Sequence, residues 1–267
     1  MSEEIPFLYF DYSDISVLLR VFFIILGLFI ARYFLVSLLY NFVFLRGRSS
    51  DDKRLLVRKR PGRKQMKREI RWAMISSVIF AVITLLMIIG WQQGWIRIYT
   101  DWTDYPLWYI PISILLLLMF HEAYYYWLHR WMHRPGIYRL IHKGHHDSGQ
   151  TSVFTAFSFH PWESLLQAVF LPLALIIIPV QLYVFIAILV FMTLSATVNH
   201  AGVEVYPSGR LGRCMGRWLV GSSHHHVHHT RFHYNYGLYF TFWDKLMKTE
   251  NKEFENEYNR IIDSSAD

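Results

Sequence analysis

Cysteine is almost missing from this chain: Cys214 is the only one among 267 residues. That count excludes an intramolecular disulfide and a thiolate-built metal site, and it fits a reducing compartment. No G-x-G-x-x-G fingerprint, flavin motif or fused haem domain occurs, so no electron-carrying module of its own is visible. The H-E-x-x-H signature of zinc hydrolases is absent. Internal repeats and low-complexity segments are absent too.

What is abundant is apolar. Hydrophobic residues make up 53% of the chain and aromatic ones 18%, gathered into long runs of the kind that span membranes. The net charge of +7 arises in one place. Between Arg46 and Arg71 stand twelve Lys/Arg against three Asp/Glu, and the rest of the chain carries fifteen basic and seventeen acidic residues. In a soluble protein such a run would suggest nucleic acid. Between two apolar spans the positive-inside rule reads it as a cytoplasmic loop able to touch anionic headgroups, and no nucleic-acid partner is expected.

The first span covers about Ile15 to Leu45, preceded by Glu3, Glu4, Asp11 and Asp14 rather than by the basic leader of a signal peptide. The second covers about Trp72 to Trp91, and a loop rich in Trp and Tyr follows it on the outer side. A third helix runs from Leu107 to Arg134, where Pro135-Gly136 stops it. At ~1.5 Å per residue it is about 42 Å long, against a hydrocarbon core of ~30 Å. Its last turns should therefore protrude on the cytoplasmic side. The fourth apolar block, Ser164 to Val198, is too long for one span and contains Pro172, Pro179 and Gln181. It predicts a helical hairpin or two short spans that enter and leave on the cytoplasmic side. The expected fold is an all-α integral membrane protein of about four transmembrane helices: two full spans, a third long helix and the hairpin, capped by a cytoplasmic histidine-rich metal-binding region. Residues 1–105 would be the anchor, with the basic loop at 46–71; 106–250 would be the histidine-bearing domain; 251–267 would be a polar tail, helical near Lys252 to Ile262.

All fourteen histidines fall between His121 and His233. His129 and His133 read H-x-x-x-H; His142, His145 and His146 read H-x-x-H-H; His225, His228 and His229 repeat that spacing. Spacings of three and four put side chains on one face of a helix. Eight imidazoles exceed what one four- to six-coordinate ion can use, which argues for a dinuclear site. A nitrogen-rich set with few carboxylates suits Fe, Cu or Zn rather than Mg or Ca. His200 is a further candidate ligand. Glu204, one turn later, either completes the set or supports it through a hydrogen bond. His160, His224, Asp244 and Glu122 are candidates for a ligand or for orienting an imidazole. His121, His226 and His233 read as ordinary interfacial or solvated residues.

These motifs resemble the membrane-bound fatty acid hydroxylase and sterol desaturase superfamily. Tyr126-Trp127-Leu128-His129-Arg130-Trp131-Met132-His133 is similar to its first histidine box and His142-Lys143-Gly144-His145-His146 to its second. His225-His226-Val227-His228-His229, with Asn235-Tyr236-Gly237 and Trp243-Asp244-Lys245, is similar to its third box and closing signature. Phe159-His160-Pro161 and Asn199-His200-Ala201-Gly202 are similar as well. The resemblance covers about Leu107 to Thr249. It implies a non-haem diiron enzyme that uses O₂ and two electrons on an unactivated C–H bond of a lipid. The implied iron ligands are His129, His133, His142, His145, His146, His200, His225, His228 and His229, with no catalytic residue beyond them. Some members carry a histidine where this chain has Glu204. Members usually have Gly where this chain has Lys248, a departure expected to sit in a turn.

The function expected is hydroxylation or desaturation of a sterol, fatty acyl chain or other membrane lipid. Electrons would come from a separate ferredoxin- or cytochrome-type donor. The membrane would be the bacterial cytoplasmic one, although an endoplasmic reticulum membrane would leave the same features. The rival readings are a dinuclear zinc hydrolase and a metal-binding transporter, which would need ligands near the bilayer midplane.

Overall fold

The computed structural model describes residues 10–49, 51–58 and 61–263. The charges of Glu3 and Glu4, residues 50, 59 and 60 of the basic loop, and residues 264–267 of the tail lie outside these. The protein is mostly helical. Helix α1, Ile15–Tyr40, starts at Asp14, whose carboxylate accepts from Ser16 N at 2.8 Å, and ends in a π-helical turn over Asn41–Leu45. It buries little beyond Ile25, Tyr33, Ser37 and Tyr40 and exposes Phe23, Ile24, Leu28 and Leu35. An apolar outer face of this extent suits lipid rather than water.

Helix α2 runs over Arg63–Gln92 and so begins well before the expected Trp72. Hydropathy marks where a span enters the bilayer, but Lys, Arg, Gln and Met are good helix formers, so the helix continues into the basic segment. Glu69, fully buried there, accepts from Gln65, Ser152 and Thr155 and ties this end of α2 to the 150–157 loop.

Helix α3, Tyr109–Met132, is unbroken, because Pro111 sits in its first turn, where a missing N–H costs nothing. Pro135 then opens a short α4, Pro135–Ile137, which leads through a π turn at Tyr138–His142 into α5, Lys143–His146. Helices α6, Pro161–Ala168, and α7, Phe170–Ile177, form one leg of the expected hairpin, and α8, Leu182–His200, forms the other. The turn between them is pinned by a two-residue parallel pairing of β1, Ile98–Tyr99, with β2, Val180–Gln181, in the register Ile98↔Val180. Gln181 caps α8 by accepting from Tyr183 N and Val184 N, and donates to Thr100 O. The remaining helices are α9, Gly209–Trp218; α10, Ser222–Arg231; α11, Phe242–Leu246; and α12, Phe254–Asp263.

Among the described residues three helices are long and apolar enough to cross a membrane: Ile15–Leu45, Arg63–Gln92 and Leu182–His200. Helix α3 is long enough but fails on composition, since its second half carries His121, Glu122, three tyrosines and His129. The α6–α7 leg, Pro161–Ile177, is shorter and apolar. At ~1.5 Å per residue it rises about 25 Å, close to the ~30 Å core. One end of the bundle is rich in exposed or stacked aromatics: Trp95, Trp108, and Trp102 on Tyr183 at 6.2 Å. Such residues favour a membrane–water boundary. The C-terminal ends of α3 and α8 meet at the opposite end. Between the two ends lies the main apolar core, with Met87, Leu117, Phe170, Leu175, Phe185 and Ile188.

Candidate metal centre

Nine imidazoles converge where α3, α5, α8 and α10 meet, and they sort into two groups. His129, His133, His142, His146 and His228 form one; His145, His200, His225 and His229 form the other. Within each group the facing nitrogens lie within 4.8 Å of one another. The H-x-x-H-H spacing produces this division. At ~100° per residue, positions i and i+4 stand ~40° apart, while i+3 lies ~60° to the other side of i. His142 and His146 therefore serve the first group and His145 the second. His225 and His229 serve the second and His228 the first. The single helix face expected for each cluster is in fact an edge shared by two positions.

The hydrogen bonds behind the rings set which nitrogen faces inward. His129 Nδ1 donates to Tyr236 O at 3.0 Å, His145 Nδ1 to Ser158 O at 3.2 Å, His200 Nδ1 to Ala196 O at 2.8 Å, and His228 Nδ1 to Tyr234 O at 2.8 Å. His142 Nδ1 donates to the buried carboxylate of Glu163 at 2.9 Å. Each such bond leaves Nε2 as a bare lone pair aimed into the centre. His145 and His200 then face each other Nε2 to Nε2 at 3.1 Å with no proton to share. Two lone pairs at that distance repel unless a cation stands between them. The other inward contacts, His133–His228, His142–His146, His146–His228, His200–His225 and His225–His229, span 2.9–3.1 Å. Nitrogens bound ~2.1 Å from one ion at right angles would be about 3.0 Å apart. The donor set thus fits two metal ions.

Electrostatics agree. Burial, reinforced by neighbouring imidazoles, holds His142, His145, His146, His225, His228 and His229 well below the usual imidazole range. They are neutral at physiological pH, the form that binds metal.

The other candidates do not reach the centre. Glu204 is fully buried, but its oxygens accept from the backbone N–H groups of Val205, Tyr206 and Ser223 at 3.0–3.1 Å. It holds the start of α10 and joins neither group of ligands. Glu122 and Asp244 do not hydrogen-bond an imidazole directly. Glu122 accepts from Leu238, Tyr239 and Phe240 N, and Asp244 from Tyr236 and Gly237 N and from Thr249 Oγ1. Together they fix the loop whose Tyr236 carbonyl takes the proton of His129. A Cβ at Gly237 would meet Phe240 O at 2.5 Å, so only glycine fits that turn. His224 is buried against Phe254, 3.8 Å from Asp244, and His160 packs on Trp72 at the head of α6. Glu163 was missed. Its signal was a carboxylate in the first turn of an apolar helix, where only a buried partner could keep it.

On the face of α3 turned away from His129 and His133, an apolar groove of about 660 Å³ lies between α3 and α7, lined by Phe120, Tyr124, Trp127, Trp131, Phe170 and Leu173 among others. Of the three consecutive tyrosines of α3, Tyr124, Tyr125 and Tyr126, only Tyr124 lines it. Tyr125 packs on His129 at 5.1 Å, and Tyr126 stacks on Trp243.

Fold and site define a mostly helical, membrane-associated protein with a histidine-lined centre sized for two ions. The chain belongs to the fatty acid hydroxylase family, whose sequence model matches residues 114–249. Lathosterol oxidase of Homo sapiens is 29% identical over 226 residues, covering 82% of this chain and 70% of the relative. The Mus musculus protein of that name is 30% identical over 83% of this chain and 71% of its own length. A Delta(7)-sterol 5(6)-desaturase of Gibberella zeae is 30% identical over 78% of this chain and 61% of that protein. No solved structure gives a significant match. Family and relatives make this chain an oxidoreductase.

Proposed function

We propose that the protein is a membrane-bound diiron enzyme that oxidises an unactivated C–H position of a lipid, and that the lipid is a sterol, as the names of its relatives suggest. In the desaturation form, the lipid loses two hydrogens from neighbouring carbons. O₂ takes these with two further electrons and two protons, leaving two waters. The observation that carries this reading is the pair His145 and His200, whose inward nitrogens are both unprotonated at 3.1 Å. When bound, two irons would supply O₂ reduction and hydrogen-atom abstraction.

The protein's part is holding and orienting. His129, His133, His142, His146 and His228 would hold one ion and His145, His200, His225 and His229 the other. The carbonyls of Ser158, Ala196, Tyr234 and Tyr236, with Glu163, fix ring orientation. The groove between α3 and α7 offers a sterol-sized apolar wall on the outer face of the helix whose opposite face carries two of the ligands. Two electrons would come from a separate ferredoxin- or cytochrome-type donor on the cytoplasmic side, the side on which the positive-inside rule would put the basic segment and the centre near it.

The test is purification from iron-enriched cells, elemental analysis, and conversion of a Δ7 sterol in nanodiscs. Two irons per chain, and turnover that stops without O₂ or reductant, are the expected results. Two zincs with reductant-independent hydrolysis would replace this reading with the hydrolase.

A further inference from the structure

Helix α9 differs from every span. It is short and strongly two-faced. Its inner face is glycine: a Cβ at Gly216 would meet the Tyr258 ring at 2.2 Å, and one at Gly212 would meet Pro207 O at 1.7 Å, so α9 lies directly against α12. Its outer face carries Leu211, Cys214 and Trp218 at i, i+3 and i+7, with Leu211 63% and Trp218 51% exposed. Arg210 and Arg217 flank this stripe and are exposed, and the Arg217 guanidinium lies 5.7 Å from the Trp218 ring centre. An apolar stripe edged by arginine, with a tryptophan at its end, is the pattern of helices that lie in a membrane surface.

A second observation bears on the level of its C-terminal end. Trp218 O accepts from Thr241 N, and Val220 N donates to Tyr239 O, so the end of α9 is bonded to the 239–241 segment. Tyr239 reaches between α3 and α8, with its hydroxyl 2.8 Å from His121 and its ring 5.3 Å from Phe191. His121 and Phe191 stand halfway along their helices. Next to it, Phe242 and Leu246 of α11 are also exposed. Trp218 therefore hangs on a segment that reaches the middle of α3 and α8.

We propose that α9 is an in-plane membrane anchor, with Leu211, Cys214 and Trp218 seated at the headgroup–acyl boundary and Arg210 and Arg217 on the phosphates of anionic lipid. Since only Leu219 to Gly221 separate α9 from α10, this anchor sets the height of His225, His228 and His229 over the bilayer. The inference rests on α3 and α8 spanning the membrane.

The single cysteine makes the test direct. The full chain, labelled at Cys214 with a small fluorophore, is placed in nanodiscs of phosphatidylcholine brominated on its acyl chains. In a Cys214→Ser background, Val190→Cys on the outer face of α8 and Asn256→Cys on α12 carry the same label. Strong quenching at 214 and 190 and none at 256 is expected. If 214 behaves like 256 while 190 is quenched, the anchor is refuted and the stripe is left to a soluble partner. If 190 is unquenched, the spanning reading falls first. Adding phosphatidylserine should deepen quenching at 214, and Arg210→Glu with Arg217→Glu should abolish that gain. An unchanged response would overturn the headgroup contact.

Discussion

The two histidine groups are built from the same residue type but are not equivalent. The group of His145, His200, His225 and His229 is wholly buried, and backbone carbonyls accept from the outer nitrogens of His145 and His200. The group of His129, His133, His142, His146 and His228 has one partly exposed member, His133, and one ring backed by a carboxylate, Glu163. A buried carboxylate raises the basicity of the imidazole it holds. The first group thus has a spare ligand, a solvent-facing edge and the stronger donor, while the second has the minimum set. Similar ligands can therefore make one position tolerant and its neighbour brittle.

The largest break in that comparison is loss of a ligand from the smaller group. His200→Ala should remove one iron per chain and turnover with it, beyond the ~10–100-fold that losing a ligand's hydrogen-bond partner costs. His133→Ala leaves four imidazoles in its group and should keep both irons. Metal analysis of the two variants, both in the membrane, decides this; equal loss would erase the distinction.

Acid is the next probe. His142, His145, His146, His225, His228 and His229 have folded-state values depressed below 6.5 by burial. Below about 6.5 the unfolded chain takes up protons that the folded one refuses. Stability is complete above that pH and falls as pH drops toward the depressed values, by about 1.4 kcal/mol per pH unit for each proton. Metal-free protein should unfold in a steep transition below pH ~6 in detergent. A flat profile down to pH 4 would mean that the rings are not buried neutral.

How much of this was legible in the sequence follows from what each signal encodes. Hydropathy located the apolar helices α1, α2 and α8 and the shorter α6–α7 leg, because lipid exposure is written residue by residue. It did not give the start of α2, because helix propensity and membrane burial end at different residues. The nine histidines that converge were visible from spacing and from the resemblance. Their division into two groups is a consequence of 100° steps and was legible in principle. The carbonyls of Ser158, Tyr234 and Tyr236 were not, since backbone acceptors carry no residue signature. Glu204 and Glu122 looked like site residues because they are acidic near histidine; the structure spends them on backbone N–H groups of α10 and the 236–240 loop.

Glu163→Gln sharpens the contrast between the groups at smaller cost. The amide keeps the shape of the side chain but not its charge. Metal affinity of the first group should fall ~10–100-fold while the second is unmoved. Stepwise iron titration of the metal-free variant, followed by Mössbauer spectroscopy, should show one site weakened and its signal shifted. Both sites weakening together would show that Glu163 supports the fold rather than one position.

Lys248→Gly is the smallest effect and the control. Lys248 follows the last turn of α11 with φ of 57°. There an L side chain crowds its own carbonyl, at ~1–2 kcal/mol. Glycine is the usual residue after a helix for that reason. The gain is offset by the greater freedom glycine has in the unfolded chain, leaving about 0.5–1 kcal/mol of added stability. Thermal unfolding in detergent should therefore rise by a few degrees, while iron content and the response to His133→Ala or Glu163→Gln stay as in the parent. Lys248 is one residue from Thr249, whose hydroxyl bonds Asp244 and whose carbonyl receives Asn235 N. A change in iron content would therefore mean that the left-handed turn transmits strain through Asp244 to the carbonyl that holds His129, and that the first group depends on this loop more than the second does.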